Sequence, residues 1–195
     1  MIAKRVTVFA SGTGSNFKTL HKAALRGEIP AEITALISDN ERAGALDYAR
    51  EQNISTHVLH PHRFNSEAAY TASLAELLEN QQPDLIVLAG YLKKIPGEIV
   101  RRYPRKIINI HPALLPKYGG KGCYGMHVHR AVLQHGDRES GCTIHYVTEQ
   151  YDEGPVIARR VVPVHAHDSP EDLAKRVQEQ EHELYPQVVR QLLSG

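Results

Sequence analysis

Asn109 and His111 lie two residues apart in Lys106-Ile107-Ile108-Asn109-Ile110-His111-Pro112, and chemistry is first legible at that spacing. The apolar run before them reads as a buried strand. Side chains alternate along a strand, so an amide and a titratable imidazole point to one face where this strand ends. Pro112 has no N–H for a ladder, so pairing stops there. The pair is consistent with a reactive site and equally with a capped strand end, and the rest of the chain has to decide.

Three other stretches carry candidate groups. Ser11-Gly12-Thr13-Gly14-Ser15-Asn16 follows an apolar strand, Arg5 to Ala10, and precedes a helical pattern running to about Gly27. Strand, glycine turn and helix present free N–H groups and a positive dipole end to an anion. Gly12 and Gly14 would let the backbone approach a phosphate, with Ser15 and Asn16 as short donors. The loop lacks the Gly-Lys-Ser/Thr of a Walker motif, and Phe17 takes the third glycine position of G-x-G-x-x-G. A plain tight turn is the competing reading. Asp152, in the acidic turn Glu149 to Pro155, is either a turn former or a carboxylate beside an imidazole, where it would raise the histidine pKa and favour the charged ring. Glu181 falls on the apolar stripe Leu173, Val177, Leu184, Val188, Leu192 of the last helix, with Gln178 its neighbour on the helix surface. A buried-facing carboxylate needs a partner, either an arginine or a ligand with hydroxyls or an amine.

The elements that must position these groups alternate. Strands are predicted at 5–10, 33–38, 56–59, 84–90 and 106–111, with helices at about 15–27, 43–52 and 66–81, the last capped by Ser66. After a helix at 127–134, strands at 141–148 and 156–164 are joined by a short turn and so run antiparallel. Thr143 and His145 share one face of the first of these. Ser169-Pro170-Glu171-Asp172 is a helix start. The fold class is α/β: a Rossmann-like open, mostly parallel but mixed sheet with helices on both faces, in a single domain covering 1–195. Ligands of such sheets bind where the strands' C-termini meet one edge, and the glycine loop, the segment after Gly90 and the Asn109/His111 pair all fall there. Tyr91 to Pro96 is either a connector with a solvated lysine pair or a loop offering backbone groups to a flat heterocycle. Lys117 to Gly125 holds four glycines, as a lid or as an irregular surface loop.

Bulk numbers narrow the classes. The chain has 195 residues, 42% apolar and 23% charged, with a net charge of +1, which suits a soluble domain and gives no basic surplus for nucleic acid. No apolar run reaches membrane-spanning length, and the N-terminus is too short and too early a run for a signal peptide. Two cysteines without a C-x-x-C motif fit a reducing, cytoplasmic compartment. Twelve histidines include the H-x-H pairs 60/62, 127/129 and 165/167, but with no cysteine pair and no H-E-x-x-H no metal is expected.

Taken together, Ser11 to Asn16, Leu88-Ala89-Gly90-Tyr91, Asn109-Ile110-His111-Pro112-Ala113-Leu114-Leu115-Pro116, Asp152-Glu153-Gly154-Pro155-Val156 and Gln178-Glu179-Gln180-Glu181-His182 resemble the phosphoribosylglycinamide formyltransferase family, across essentially the whole chain. The resemblance implies direct formyl transfer from the co-substrate 10-formyltetrahydrofolate to the amine of 5'-phosphoribosylglycinamide, in purine biosynthesis, without a metal. The family's catalytic positions fall on Asn109, His111 and Asp152. Its ribotide phosphate and ribose positions fall on Thr13, Gly14, Ser15, Asn16, Gln178 and Glu181. Its folate positions fall on Leu92, Lys93, Lys94, Ile95 and Asn109, and on Thr148, Glu149, Gln150, Tyr151 and Asp152. In that scheme Asn109 and a protonated His111 stabilise the oxyanion, while Asp152 keeps His111 charged and orders a proton-relaying water. The implied partners are these small molecules, with no nucleic acid or membrane, and the protein is a monomer or homodimer. Lys93 and Lys94 depart from the family's arginine and aliphatic residue, 63–70 offers no match for a folate-tail arginine, and the Gly119 to Gly125 loop is long. Relatives that formylate tRNA carry a further C-terminal domain, and those that hydrolyse the folate carry an N-terminal one; neither is expected within this length. Two other classes compete: a non-catalytic phosphate-binding module, which has no need of all three catalytic positions, and a nicotinamide dehydrogenase, for which Asp39 would be the acidic residue.

Overall fold

In the computed structural model of the chain, which describes residues 3–194, the apolar runs become strands β1 (Lys4–Phe9), β2 (Ala31–Ser38), β3 (Ser55–Val58), β4 (Leu85–Leu88), β5 (Ile107–His111), β6 (Glu139–Tyr146) and β7 (Val156–Pro163). Residues 1, 2 and 195, at the ends of the expected 1–195 domain, lie outside the described residues. The helices are α1 (Ser15–Leu25), α2 (Gly44–Glu51), α3 (Glu67–Gln81), α4 (Gly97–Arg102), α5 (Met126–Gln134) and α6 (Pro170–Leu193). One sheet joins the strands in the order β3-β2-β1-β4-β5-β6-β7. The first five strands are parallel, and β6 and β7 are antiparallel to their neighbours. The sheet is therefore mixed, as the short turn before β7 requires. No described helix is long and apolar enough to cross a membrane.

Strand alternation divides the core. Leu85 and Val87 of β4 join Val6 and Val8 of β1 and Ile108 and Ile110 of β5 in the cluster that α1, α2, α5 and α6 cover. Ile86 and Leu88 join Phe9 and Ile107 in the opposite cluster, under α3 and α4. Both faces of the central strands are thus buried, which is why β4 is apolar at every position. Asn109 and His111 share the face of Ile107.

The helix boundaries follow local chemistry. Ser66 Oγ accepts from the Ala69 amide at the start of α3. Ser169 and Asp172 form a reciprocal capping box with Pro170 in the first turn of α6. Two features differ from expectation. The short helix α4 carries one buried side chain, Ile99, too few for a period to show in the sequence. The stripe of α6 ends on buried Leu193 rather than Leu192, and it is widened by Tyr185 and Val189, because this long helix packs against α1, α5 and two strands.

Tyr185 ties that helix to the sheet beneath the site. Its ring is fully buried, and its hydroxyl donates to the Leu88 carbonyl at 2.8 Å, with the Ile108 carbonyl at 3.4 Å. Tyr185→Phe keeps the ring and removes that donor, so chemical denaturation should show a loss of about 1–2 kcal/mol.

Candidate active site

A cleft of about 960 Å³ opens at the C-terminal ends of β1, β4 and β5. β1 and β4 are adjacent, and the chain leaves them toward opposite edges of the sheet, so the cleft lies at the point where the strand order reverses. Ser11 N–H donates to the Gly90 carbonyl at 3.0 Å and joins the two loops at that point.

One end of the cleft is built to take an anion. Gly14 caps α1 in the left-handed region, φ 72°, and a Cβ there would lie 2.6 Å from Ala45 Cβ, so both backbone and space demand glycine. Gly12 has neither constraint: its φ is ordinary and a Cβ would meet nothing within 4 Å. No side chain caps α1 and no acid stands in its first turn, so its leading N–H groups are available. Gln178 Nε2 donates to Ser15 Oγ at 3.1 Å, and Asn16 Nδ2 donates to Glu181 Oε2 at 2.8 Å. Asn16 Oδ1 is buried without a partner. Glu181 is 8% exposed, and burial pushes its carboxyl up to about 7, against the smaller opposing effect of the Asn16 hydrogen bond. Its partner is an amide, not the arginine that was the alternative to a ligand.

The floor is made by β5, β6 and the acidic turn. The antiparallel register sets Asn109 opposite His145 and His111 opposite Thr143. His111 Nε2–H donates to the Tyr118 carbonyl at 2.8 Å, so in the neutral ring Nδ1 carries no proton. That Nδ1 lies 3.6 Å from Asp152 Oδ2. Asp152 Oδ1 is 3.5 Å from His145 Nε2, and Oδ2 accepts from the Gly120 amide at 2.9 Å. His145 Nδ1–H donates to the Tyr146 carbonyl at 3.0 Å, which leaves Nε2 to accept from Asn109 Nδ2 at 3.1 Å. His145 thereby turns the Asn109 amide nitrogen inward. Thr143 Oγ1 donates to the Ala113 carbonyl and accepts from the Leu115 amide, pinning the segment after His111.

The charge expected on His111 is opposed by this environment. His111 is 4% exposed, and burial lowers its pKa more than Asp152 and the Tyr118 carbonyl raise it, with His145 lowering it further. Burial thus favours the neutral imidazole in the ligand-free protein. One carboxylate at 3.6 Å, shared with His145 and an amide, does not offset the removal of water. Burial also raises the Asp152 carboxyl, but His145, His111 and Gly120 together outweigh it and hold the group below the usual carboxylate value.

The remaining wall is formed by Leu92 to Ile95 and by Thr148, Gln150, Tyr151 and Asp152, all lining the cleft. Leu92 and Tyr151 are exposed at 49% and 38%, an apolar pair left to water at the rim. Glu149 does not line the cleft. Its carboxylate accepts from Arg101 Nη1 at 2.7 Å on the outer surface, because the turn sends it away from its neighbours. Every other candidate position reaches the cleft, and so do Gly120 to Gly125. His145, His129 and Thr143 were not among the candidates. The shared face of Thr143 and His145 was visible in the sequence, but their pairing with β5 was not. Among the described residues no three His, Cys, Asp or Glu side chains converge as a metal site, and His60 instead accepts the His62 amide at Nδ1.

Glu181 makes the stability of the ligand-free protein depend on pH. A carboxyl raised from 4.5 to about 7 by folding favours the fold fully below 4.5, and that contribution is lost as pH rises through 7. Melting curves of wild type and Glu181→Gln should therefore diverge between these values, the wild type losing up to about 3 kcal/mol relative to the variant.

The comparisons agree with this geometry. The family profile described as Formyl transferase matches residues 4–189. A chloroplastic phosphoribosylglycinamide formyltransferase of Vigna unguiculata is 44% identical over 97% of this chain, and the chain spans 61% of that protein. The phosphoribosylglycinamide formyltransferase of Escherichia coli (strain K12) is 39% identical over 97% of this chain and 87% of its own length. The crystal structure of glycinamide ribonucleotide transformylase 1 from Symbiobacterium toebii superposes with a TM-score of 0.92 at 36% identity, covering 99% of this chain and 89% of that one. The chain belongs to the formyl transferase family.

Proposed function

We propose that this chain transfers the formyl group of 10-formyltetrahydrofolate to the amine of 5'-phosphoribosylglycinamide. The observation that carries the reading is the convergence of Asn109, His111 and Asp152 on one cleft floor, with the uncapped start of α1 at one end and the Leu92/Tyr151 rim at the other. The names of the relatives support the same transferred group and acceptor. The ribotide phosphate takes the N–H groups at Gly14, Ser15 and Asn16, and its ribose hydroxyls take Glu181 and the free Asn16 Oδ1. The folate occupies the wall from Leu92 to Ile95 and from Thr148 to Asp152, with Glu149 outside it.

In this reading a neutral resting His111, the form that burial favours, takes the proton. The amine attacks the formyl carbon, and charge develops on the formyl oxygen. One Asn109 Nδ2–H is held by His145, and the second donates to that oxygen, a contribution of roughly 3–4 kcal/mol for a well-placed donor. His111 Nδ1 accepts the proton that the attacking amine loses, and Asp152, facing that atom, stabilises the imidazolium as it forms. The proton passes to the folate nitrogen as its bond to the formyl carbon breaks, leaving N-formyl product and tetrahydrofolate.

Absorbance at the folate should change only when ribotide is present; turnover in its absence would favour hydrolysis, and binding without turnover a non-catalytic module. His111→Ala should lower kcat by roughly 10²–10⁴-fold, as for loss of a general base, with ribotide affinity retained. Asp152→Asn removes a charge that raises the His111 pKa, so the acid limb of its pH–rate profile should move to lower pH as kcat falls. An acid limb that stays in place or moves up excludes this role for Asp152.

A further inference from the structure

Asp39 is a buried carboxylate for which the proposed transfer has no use. It directly follows β2 and is 7% exposed. Its Oδ1 accepts the hydroxyl proton of Ser11, and its Oδ2 lies 3.9 Å from Lys93 Nζ. Ser11 Oγ in turn accepts from the Leu92 amide at 2.9 Å. An amide N–H can only donate, so the single Ser11 proton must point to Asp39, and the direction of the chain Leu92 to Ser11 to Asp39 is set. The main chain of Ser11 is engaged as well: its N–H meets the Gly90 carbonyl at 3.0 Å, and its carbonyl accepts from Asn40 Nδ2 at 3.1 Å.

The loop that makes these bonds is held by few contacts in its middle. The chain turns through the left-handed region at Gly90, φ 75°. Tyr91 and Ile95 are buried at 9% and 3% and anchor the two ends, whereas Leu92 is 49% exposed and Lys94 is exposed. Between the anchors, the Leu92 amide reaches Ser11, Lys93 leans toward Asp39, and Lys94 lies against Tyr151, its ammonium 5.8 Å from the ring centre. Both carboxylate oxygens of Asp39 are directed at protein groups, unlike an acid held open for a nucleotide ribose.

We propose that Asp39 is a positioning residue for the formyl-donor side of the cleft, setting the Leu92 to Ile95 wall through the Ser11 hydroxyl and the Lys93 ammonium. That this wall takes the donor rests on the function proposed above. Asp39 touches neither substrate; it acts by holding backbone groups where a flat ring would meet them. A loop pre-set in its bound form loses less freedom on binding, so the effect belongs in donor affinity rather than in the chemical step.

The test uses the full chain with Asp39→Ala, Asp39→Asn, Ser11→Ala and the Asp39→Ala/Ser11→Ala double variant. Asp39→Ala should raise KM for 10-formyltetrahydrofolate by about ten-fold, the scale of one charge-assisted hydrogen bond, with ribotide KM within about two-fold and kcat nearly kept. Asp39→Asn keeps the shape and an acceptor for Ser11 but loses the pull on Lys93, so its rise should be only about two- to three-fold, again confined to the donor. The double variant should exceed Ser11→Ala by only the roughly two- to three-fold that the Lys93 contact carries, well short of the product of the single effects, since Asp39 and Ser11 otherwise act in series. Hydrogen exchange at Leu92 in the ligand-free protein should quicken in Asp39→Ala and Ser11→Ala. Equal rises in both KM values, an unchanged donor KM, a loss confined to kcat, or additive effects overturn the proposal; Asp39→Asn and the exchange data decide it if Asp39→Ala does not fold. If wild type transfers no formyl group the proposed function fails, while exchange at Leu92 still reports whether Asp39 holds the loop.

Discussion

The Asp152 carboxylate reaches three groups that arrive from three separate segments: His111 on β5, His145 on β6 and the amide of Gly120. A half-buried carboxylate is costly unless its oxygens are hydrogen-bonded; the Gly120 amide supplies one bond, and the two imidazoles pair with it when they take up a proton. The demand propagates outward. Asp152 itself takes a left-handed backbone, φ 56°. Gly154 has no room for a Cβ against the Tyr146 carbonyl, and a Cβ on Gly119 would meet Leu115 at 2.7 Å. The register of β5 on β6 must also be the observed one, because a one-residue slip would put Thr143 and His145 on the opposite face from Asn109 and His111.

Burial outweighs pairing at His111 and Glu181, whereas at Asp152 the neighbours win. At His111 it outweighs a carboxylate at 3.6 Å and lowers the imidazole below its ordinary value. At Glu181 it outweighs an amide hydrogen bond and brings a carboxyl up to about 7. Burial thus moves the two groups in opposite directions, the Glu181 carboxyl up at one end of the cleft and the His111 imidazole down on its floor. The same low-dielectric surroundings that make a resting charge expensive make a charge formed during reaction respond strongly to Asp152.

The cleft exists because of topology rather than any one segment. β1 and β4 are neighbours whose following segments diverge, and the gap between them is bridged by Ser11 and Gly90. α6 closes the other side: Glu181 on its buried face meets Asn16, and Gln178 meets Ser15, joining residues 165 and 163 positions apart. The helix is anchored by apolar side chains from Leu173 to Leu193, so a carboxylate can occupy one position of its inner face without unseating it.

Much of this was legible from residue types and spacing. Alternating apolar runs, the glycine turn before α1, the capping residues Ser66 and Ser169 and the odd polar position Glu181 are local signals, and local sterics and hydrogen bonding suffice to read them. Asn109, His111 and Asp152 were legible as candidates for the same reason, and the family resemblance joined them. What the sequence by itself could not carry was anything set by partners distant in the chain. His145 became part of the site through cross-strand register, Glu149 left it through Arg101, and Asp39 found Ser11 and Lys93 across loops. The protonation of His111 depended on how much water the folded chain removes from one imidazole. Residue identity determines which groups can accept a proton; only the tertiary structure, by deciding their burial and their neighbours, determines which form they rest in.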